Sequence, residues 1–125
     1  MLFCLPCVVP HDCENLAKMN DLAFSLDVLE SIYKEARRDD MTFAECAGLY
    51  AAASAMYDEF REYIIEERNR DGYALEKLLK YKWHIGAALG FDITNGHDKS
   101  QHLIWMLGDL STLRNVLTEN GENIE

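Results

Sequence analysis

Apolar residues recur at steps of three and four along most of the chain, which is the spacing of one face of a helix. The first predicted helix begins between Asp12 and Asn20 and ends near Arg38. It carries two apolar stripes, formed by Leu22, Leu26, Leu29 and Tyr33 and by Phe24, Val28 and Ile32. A helix with two apolar stripes is contacted on two sides.

The second predicted helix begins after a capping box, a Thr followed three residues later by Glu, here Thr42 and Glu45. The helix continues from Phe43 to about Asn69 with a heptad-like seam of Cys46, Leu49, Ala53, Met56, Phe60 and Tyr63. At a rise of 1.5 Å per residue it is about 40 Å long. We expect a helix of this length to project past its own core and to offer a surface to a partner.

Two further helices follow. The third extends from about Tyr73 to Leu89, with Gly90 at the position of a left-handed C-cap. The fourth begins at a second capping-box pattern, Asp98 with Gln101, and ends in ENGENIE. Their predicted buried positions are Leu75, Leu78, Ile85 and Leu89 in the third helix, and Leu103, Met106, Leu107, Leu110, Leu113 and Leu117 in the fourth.

These elements predict an all-α protein, an antiparallel helical bundle of about four helices. We expect a single domain over residues 1–125, with an apolar N-terminal arm at 1–18 and the bundle at 19–120. Ile104 and Trp105 lie beside the main stripe of the fourth helix. Such surplus apolar surface predicts coverage either by the N-terminal arm or by a second copy in a homodimer or higher oligomer.

The N-terminal arm contains three cysteines and a histidine in the pattern C-x2-C-x3-H-x-C, formed by Cys4, Cys7, His11 and Cys13. A zinc site or a redox-active CxxC pair is an alternative here because these are zinc ligand types. The last two ligands are too close in sequence for a usual structural zinc site, however, and the residues between Cys4, Cys7 and His11 are Leu, Pro and Val. We therefore interpret the cluster as buried thiols and predict no bound metal and no cofactor.

The chain carries 22 acidic and 12 basic side chains, a formal net charge of −10. This charge argues against direct nucleic-acid binding, which requires basic surface. No apolar stretch reaches the about 18 residues of a membrane span. The apolar segment Leu2–Val9 has no Lys or Arg before it and is interrupted by Pro6, so it does not resemble a secretion signal. We expect a cytoplasmic protein.

Common catalytic signatures, including G-x-S-x-G, the P-loop, G-x-G-x-x-G and H-E-x-x-H, do not occur in the sequence. An EF-hand loop that began at Asp92 of the segment DITNGHDKSQH would have His97 at position 6 and Leu103 at position 12, where Gly and Glu are required. Ordinary loop and capping chemistry accounts for this segment. We predict that the protein is not an enzyme.

An acidic row lies on the second helix and consists of Asp58, Glu59, Glu62, Glu66 and Glu67. A basic segment, residues 68–82, follows it, so one interpretation is that the two neutralise each other across an antiparallel helix pair. The other is that the acidic row binds a protein partner with a basic surface. By analogy of class alone, this predicts an inhibitor of a nucleic-acid-processing, defence or toxin protein, of a phage or mobile-element type.

Three alternatives to the inhibitor hypothesis remain open. The first is an oligomer that sequesters a nucleotide through an aromatic and basic segment, Lys80, Tyr81, Lys82, Trp83 and His84. Aromatic rings stack on bases and ammonium groups hold phosphates, which is the reason for this alternative. The second is an immunity protein or antitoxin, and the third is a zinc-stabilised interaction module.

Overall fold

The structure is a computed structural model that describes residues 21–123, with side chains described as far as Thr118. Four helices account for most of this range: α1 (Leu22–Ala36), α2 (Phe43–Glu67), α3 (Gly72–Leu89) and α4 (Lys99–Asn123). The predicted all-α fold is confirmed. The thiols and imidazole of Cys4, Cys7, His11 and Cys13 lie outside the described residues, so the interpretation of the N-terminal arm stays a prediction.

Capping side chains set the helix starts. Thr42 Oγ1 accepts a hydrogen bond from the Glu45 amide at 3.1 Å, and the Glu45 carboxylate accepts one from the Thr42 amide at 2.9 Å. Asp98 Oδ1 accepts from the Gln101 amide at 2.9 Å, and Gly90 has the left-handed φ of 94° predicted for a C-cap. Each of these pairs satisfies amide or carbonyl groups that a helix end leaves without partners.

Two predicted helix boundaries were wrong. Helix α1 begins at Leu22, beyond the predicted range, because Asp21 Oδ1 accepts from the Phe24 amide at 3.0 Å and so caps the helix there. Helix α4 continues to Asn123 through the Asn-Gly pair that was expected to end it. Local glycine and asparagine preferences are weak compared with the cooperative extension of a helix.

The four helices alternate in direction around the bundle. Arg114 of α4 contacts Asp27 and Glu30 near the start of α1, at 3.2 and 3.3 Å, whereas Lys99 at the start of α4 lies 3.9 Å from Asp39, just after α1. Helices α1 and α4 are therefore antiparallel. The same reasoning applies to α3 and α4, where Lys77 faces Asp109 and His84 faces His102. These pairings agree with the predicted antiparallel bundle.

The core lies along the inner faces of all four helices. Most predicted core positions are buried there, including Leu26 and Leu29 on α1, Phe60 on α2, and Leu78 and Ile85 on α3. Phe24 and Leu107 are exceptions, with 63% and 43% of their surfaces exposed. Both lie on the flanks of apolar stripes that are wider than the faces actually covered by neighbouring helices. No helix in the described residues has the length and apolar content that a membrane span needs.

The loop at residues 90–98, named here the cavity loop, is attached to α2 through an aromatic stack. The ring of Phe91 lies 5.2 Å from the ring of Tyr50, centroid to centroid, with an interplanar angle of 16°. Tyr50 in turn lies against Gly86, where an added Cβ atom would approach the Tyr50 ring to 3.0 Å. This close approach of α2 and α3 holds the cavity loop over the end of the α3–α4 pair.

Candidate functional site

A cavity of about 540 Å³ opens between α3, α4 and the cavity loop. Its volume falls within the about 300–1,000 Å³ of small-molecule sites. Helix α3 contributes charged and aromatic side chains, α4 contributes apolar and polar ones, and the cavity loop contributes two. The lining residues are Lys77, Lys80, Trp83, His84, Asn95, His97, Ile104, Trp105, Gly108, Asp109 and Thr112.

Two indole rings and two imidazoles occupy the end of the cavity nearest the loop. Trp83 is fixed there because its Nε1 donates a hydrogen bond to the carbonyl oxygen of Ile93 at 2.8 Å. Trp105 packs edge-on to His97, with ring centroids 4.8 Å apart, and lies 5.5 Å from the ring of His84. This end therefore offers aromatic surface to a planar ligand.

The opposite end of the cavity is cationic. Lys77 Nζ lies 3.8 Å from Asp109 Oδ1, and Lys80 Nζ lies 3.1 Å from Glu76 Oε2. The two lysines occupy successive turns of α3, so both ammonium groups border the same opening. The Lys77–Asp109 separation is within ion-pair range but too long for a strong hydrogen bond.

Beneath the aromatic end, two buried histidines are hydrogen-bonded to each other. His84 Nδ1 and His102 Nδ1 are 2.9 Å apart, and the exposed fractions of the two residues are 5% and 0%. His102 Nε2 lies 2.9 Å from the carbonyl oxygen of Thr94 in the cavity loop. A carbonyl oxygen only accepts, so His102 Nε2 carries a proton and donates it to Thr94.

The proton on His102 Nε2 determines which Nδ1 atom carries the proton in the bond between the two rings. With a proton at Nε2, neutral His102 has a bare Nδ1, so His84 Nδ1 must be the donor of the bond between the two rings. The alternative, a charged His102 that donates from both nitrogens, would place an imidazolium at a ring with no exposed surface. That arrangement is costly because a buried charge loses its hydration. His84 therefore has a bare Nε2.

His84 Nε2 and Asp109 Oδ2 are 3.7 Å apart. Burial lowers the pKa of His84 to about 4, with smaller contributions from His102 and Lys80. Burial also raises the pKa of Asp109, against the opposing effect of Lys77 and Lys80. The low pKa of His84 agrees with the neutral ring that the hydrogen-bond geometry requires.

The structure brings together three of the five residues of the predicted nucleotide segment. Lys80, Trp83 and His84 line the cavity. Tyr81 is buried on the opposite side of α3 and donates a hydrogen bond to the Leu29 carbonyl at 2.7 Å, so it offers no surface to a ligand. Lys82 lies over the ring of Tyr57, 4.7 Å from its centroid, and does not line the cavity.

Other cavity residues were not part of the sequence prediction. Helical spacing links Lys77, Lys80 and His84 on α3, and a similar step links Trp105 and Asp109 on α4. The histidines of the DITNGHDKSQH segment were explained as loop chemistry, yet His97 lines the cavity and His102 supports its floor. The sequence does not show that α3 packs against α4, and that packing is what brings these residues together.

The acidic row of Asp58, Glu59, Glu62, Glu66 and Glu67 is exposed along its whole length. None of these carboxylates forms an ion pair among the side chains that the structure describes. The basic segment instead contacts other groups, so the expected neutralisation of the two segments is not seen. The acidic row lies opposite the buried Phe60 and Ile64, on the outer face of α2 and not on a part that projects beyond the core.

Comparison with known proteins gives no indication of function, so the function is argued from the side chains of the chain itself. The chain matches no protein-family model, no curated protein and no solved structure. Within the described part of the chain, no three side chains of His, Cys, Asp or Glu converge on a metal position.

Proposed function

We propose that the protein binds, without chemical conversion, a small ligand that combines an aromatic ring with an anionic group. The observation that supports this proposal is the polarity of one cavity, with Trp83 and Trp105 at one end and Lys77 and Lys80 at the other. Indole rings stack on planar ligands, whereas ammonium groups attract phosphate or carboxylate. A nucleotide has both features in one molecule.

The dimensions of the cavity suit a ligand of nucleotide size. Trp83 follows Lys77 by six residues on α3, which corresponds to roughly 9 Å along a helix. A ring stacked on Trp83 or Trp105 therefore places an attached anionic group within reach of Lys77 or Lys80. The proposed role is sequestration or sensing of such a ligand.

A fluorescence titration with a panel of nucleoside monophosphates tests this function. Stacking on Trp83 or Trp105 is expected to quench indole emission in a saturable manner. Lys80→Ala is expected to weaken binding about 10-fold, the usual effect of losing a charge-assisted hydrogen bond. The matched control is Lys82→Ala, which removes a neighbouring lysine outside the cavity and should leave the dissociation constant unchanged. A flat titration across the panel would contradict the proposal.

A second candidate function uses the acidic row on α2. Because its carboxylates are exposed and unpaired among the described side chains, they are available to a protein with a basic surface. The candidate partners are nucleic-acid-processing enzymes and toxins, which carry such surfaces. This would make the protein an inhibitor or an immunity protein.

Affinity capture with charge-reversed variants tests the second candidate. Glu62→Lys combined with Glu66→Lys is expected to abolish capture of a partner from a lysate of the source cells while the helical circular dichroism signal is retained. Asp39→Lys combined with Asp40→Lys reverses two exposed carboxylates outside the acidic row and serves as the control. Equal capture by both double variants would exclude the acidic row as the contact surface.

A further inference from the structure

The two hydrogen bonds beneath the cavity donate in the same direction, from His84 through His102 to the cavity loop. His102 Nε2 donates to the Thr94 carbonyl, and His84 Nδ1 donates to His102 Nδ1. The direction leaves His84 Nε2 with a lone pair and no hydrogen. Every buried side-chain nitrogen or oxygen in the described residues has a hydrogen-bond partner. His84 Nε2 has no partner within hydrogen-bond distance among these residues, so it is not buried and reaches the open cavity.

A second acceptor lies beside this lone pair. Asp109 Oδ2 is 3.7 Å from His84 Nε2, a distance too long for a direct hydrogen bond between them. Lys77 Nζ forms an ion pair with the other carboxylate oxygen, Oδ1, at 3.8 Å. The cavity thus contains two adjacent acceptor atoms, His84 Nε2 and Asp109 Oδ2, and neither has a hydrogen-bond partner among the described side chains.

We propose that His84 and Asp109 form an acceptor pair that selects ligands whose aromatic ring bears an amino group. This inference rests on the proposed function and names the ligand class of the same cavity: amino-substituted heterocycles that carry a phosphate or another anionic group. An amino group has two hydrogens, so one group can donate to both acceptors. His102 is a positioning residue that fixes the direction of the bonds through His84.

Selectivity follows from what an unsuitable ligand leaves unpaired. A ring without a donor would cover His84 Nε2 and Asp109 Oδ2 and remove water from both. Burying an acceptor without a partner costs more than a good hydrogen bond contributes, which is why sites that require a donor reject analogues lacking one. The indole contacts and the lysine contacts are the same for both ligands, so the difference isolates the acceptor pair.

The decisive comparison uses adenosine 5′-monophosphate and purine riboside 5′-monophosphate, which differ only in the amino group. The wild-type protein is expected to bind the amino ligand at least about 10-fold more tightly. His84→Phe keeps a flat ring but removes the acceptor, and Asp109→Asn replaces one acceptor oxygen with a donor. Both variants should bring the ratio of dissociation constants close to one. Lys80→Ala should weaken both ligands equally and preserve the ratio.

The imidazole protonation states provide a measurement that needs no ligand. Long-range ¹H–¹⁵N spectra distinguish a protonated ring nitrogen from a bare one, and we expect His84 to be protonated at Nδ1 and His102 at Nε2. In His102→Phe the acceptor of the His84 proton is gone, so His84 should shift toward the Nε2-protonated form. A His84 ring protonated at Nε2 in the wild-type protein would overturn the inference.

The outcomes separate this inference from the proposed function. If neither nucleotide binds at millimolar concentration, the proposed function is contradicted and the inference fails with it. If both bind with equal dissociation constants, the cavity is a ligand site but the acceptor pair does not select, and only the inference is overturned.

Discussion

His84 on α3 and His102 on α4 meet through their Nδ1 atoms at 2.9 Å, with both rings almost fully buried. The bond joins two helices that pack against each other along their length, and His102 continues it to the cavity loop through Thr94. A polar pair at this position ties α3, α4 and the loop into one unit, and the floor of the cavity is part of that unit.

The low pKa of His84 predicts that the protein loses stability in mild acid. An imidazole in the unfolded chain titrates near pH 6.5, whereas burial first, and then His102 and Lys80, lower the pKa of His84 to about 4 in the folded state. Between these values only the unfolded chain binds the proton. The free energy of unfolding should therefore fall by about 2 kcal/mol as the pH decreases from about 6.5 to about 4, allowing for partial screening by the open cavity.

Urea unfolding followed by circular dichroism at several pH values measures this loss. Asp109 acts in the opposite sense, since its raised pKa makes the folded state bind a proton before the unfolded state does. His84→Phe keeps this contribution and removes that of His84, so the difference between the two proteins isolates the histidine. A parallel decline in both proteins would contradict the assignment.

Replacement of His102 should destabilise the protein even without a ligand. His102→Leu leaves His84 Nδ1 buried without a hydrogen-bond partner and removes the bond to the Thr94 carbonyl. We expect a loss of about 2 kcal/mol in the free energy of unfolding, measured with urea. His97→Leu changes an exposed histidine of the same cavity and should alter stability by less than about 0.5 kcal/mol. Equal effects would show that the buried pair has no special role.

Tyr81 connects α3 to α1 through a single buried hydrogen bond. Its hydroxyl donates to the Leu29 carbonyl at 2.7 Å, and the residue is 1% exposed. Tyr81→Phe retains the ring and removes the donor, so unfolding should become easier by about 1 kcal/mol. Tyr63→Phe is the matched control because Tyr63 packs partly buried against the core and its hydroxyl forms no hydrogen bond among the described residues. Thermal unfolding curves of the two variants provide the comparison.

Arg68 links the end of α2 to α4. Its guanidinium donates to the carbonyl oxygens of Leu117 at 2.7 Å and Val116 at 3.2 Å. Arg68→Ala should lower the free energy of unfolding by about 1–2 kcal/mol, since hydrogen bonds from a charged donor are stronger than neutral ones. Hydrogen exchange should rise selectively in the last turns of α4. Arg61→Ala removes an exposed arginine of the same helix and should leave both measurements unchanged.

The helices and the starts of α2 and α4 could be predicted because the relevant forces act over a few residues. The Thr42–Glu45 capping box, the Asp98 cap and the left-handed Gly90 all involve atoms within one or two turns of each other. The apolar periodicity similarly indicated most buried positions, including Phe60 and Met106. It failed at Phe24 and Leu107 because a stripe shows which face is apolar and not how much of that face a neighbour covers.

The sequence by itself thus determined four helices, an apolar inner face and the presence of Lys80, Trp83 and His84 on one segment. Only the tertiary structure decided that Tyr81 turns into the core and that His102 and Asp109 of α4 meet His84. The physical reason is that a site between two helices depends on their relative rotation and register. Those are set by side-chain packing over the whole interface, and no local pattern in either helix specifies them.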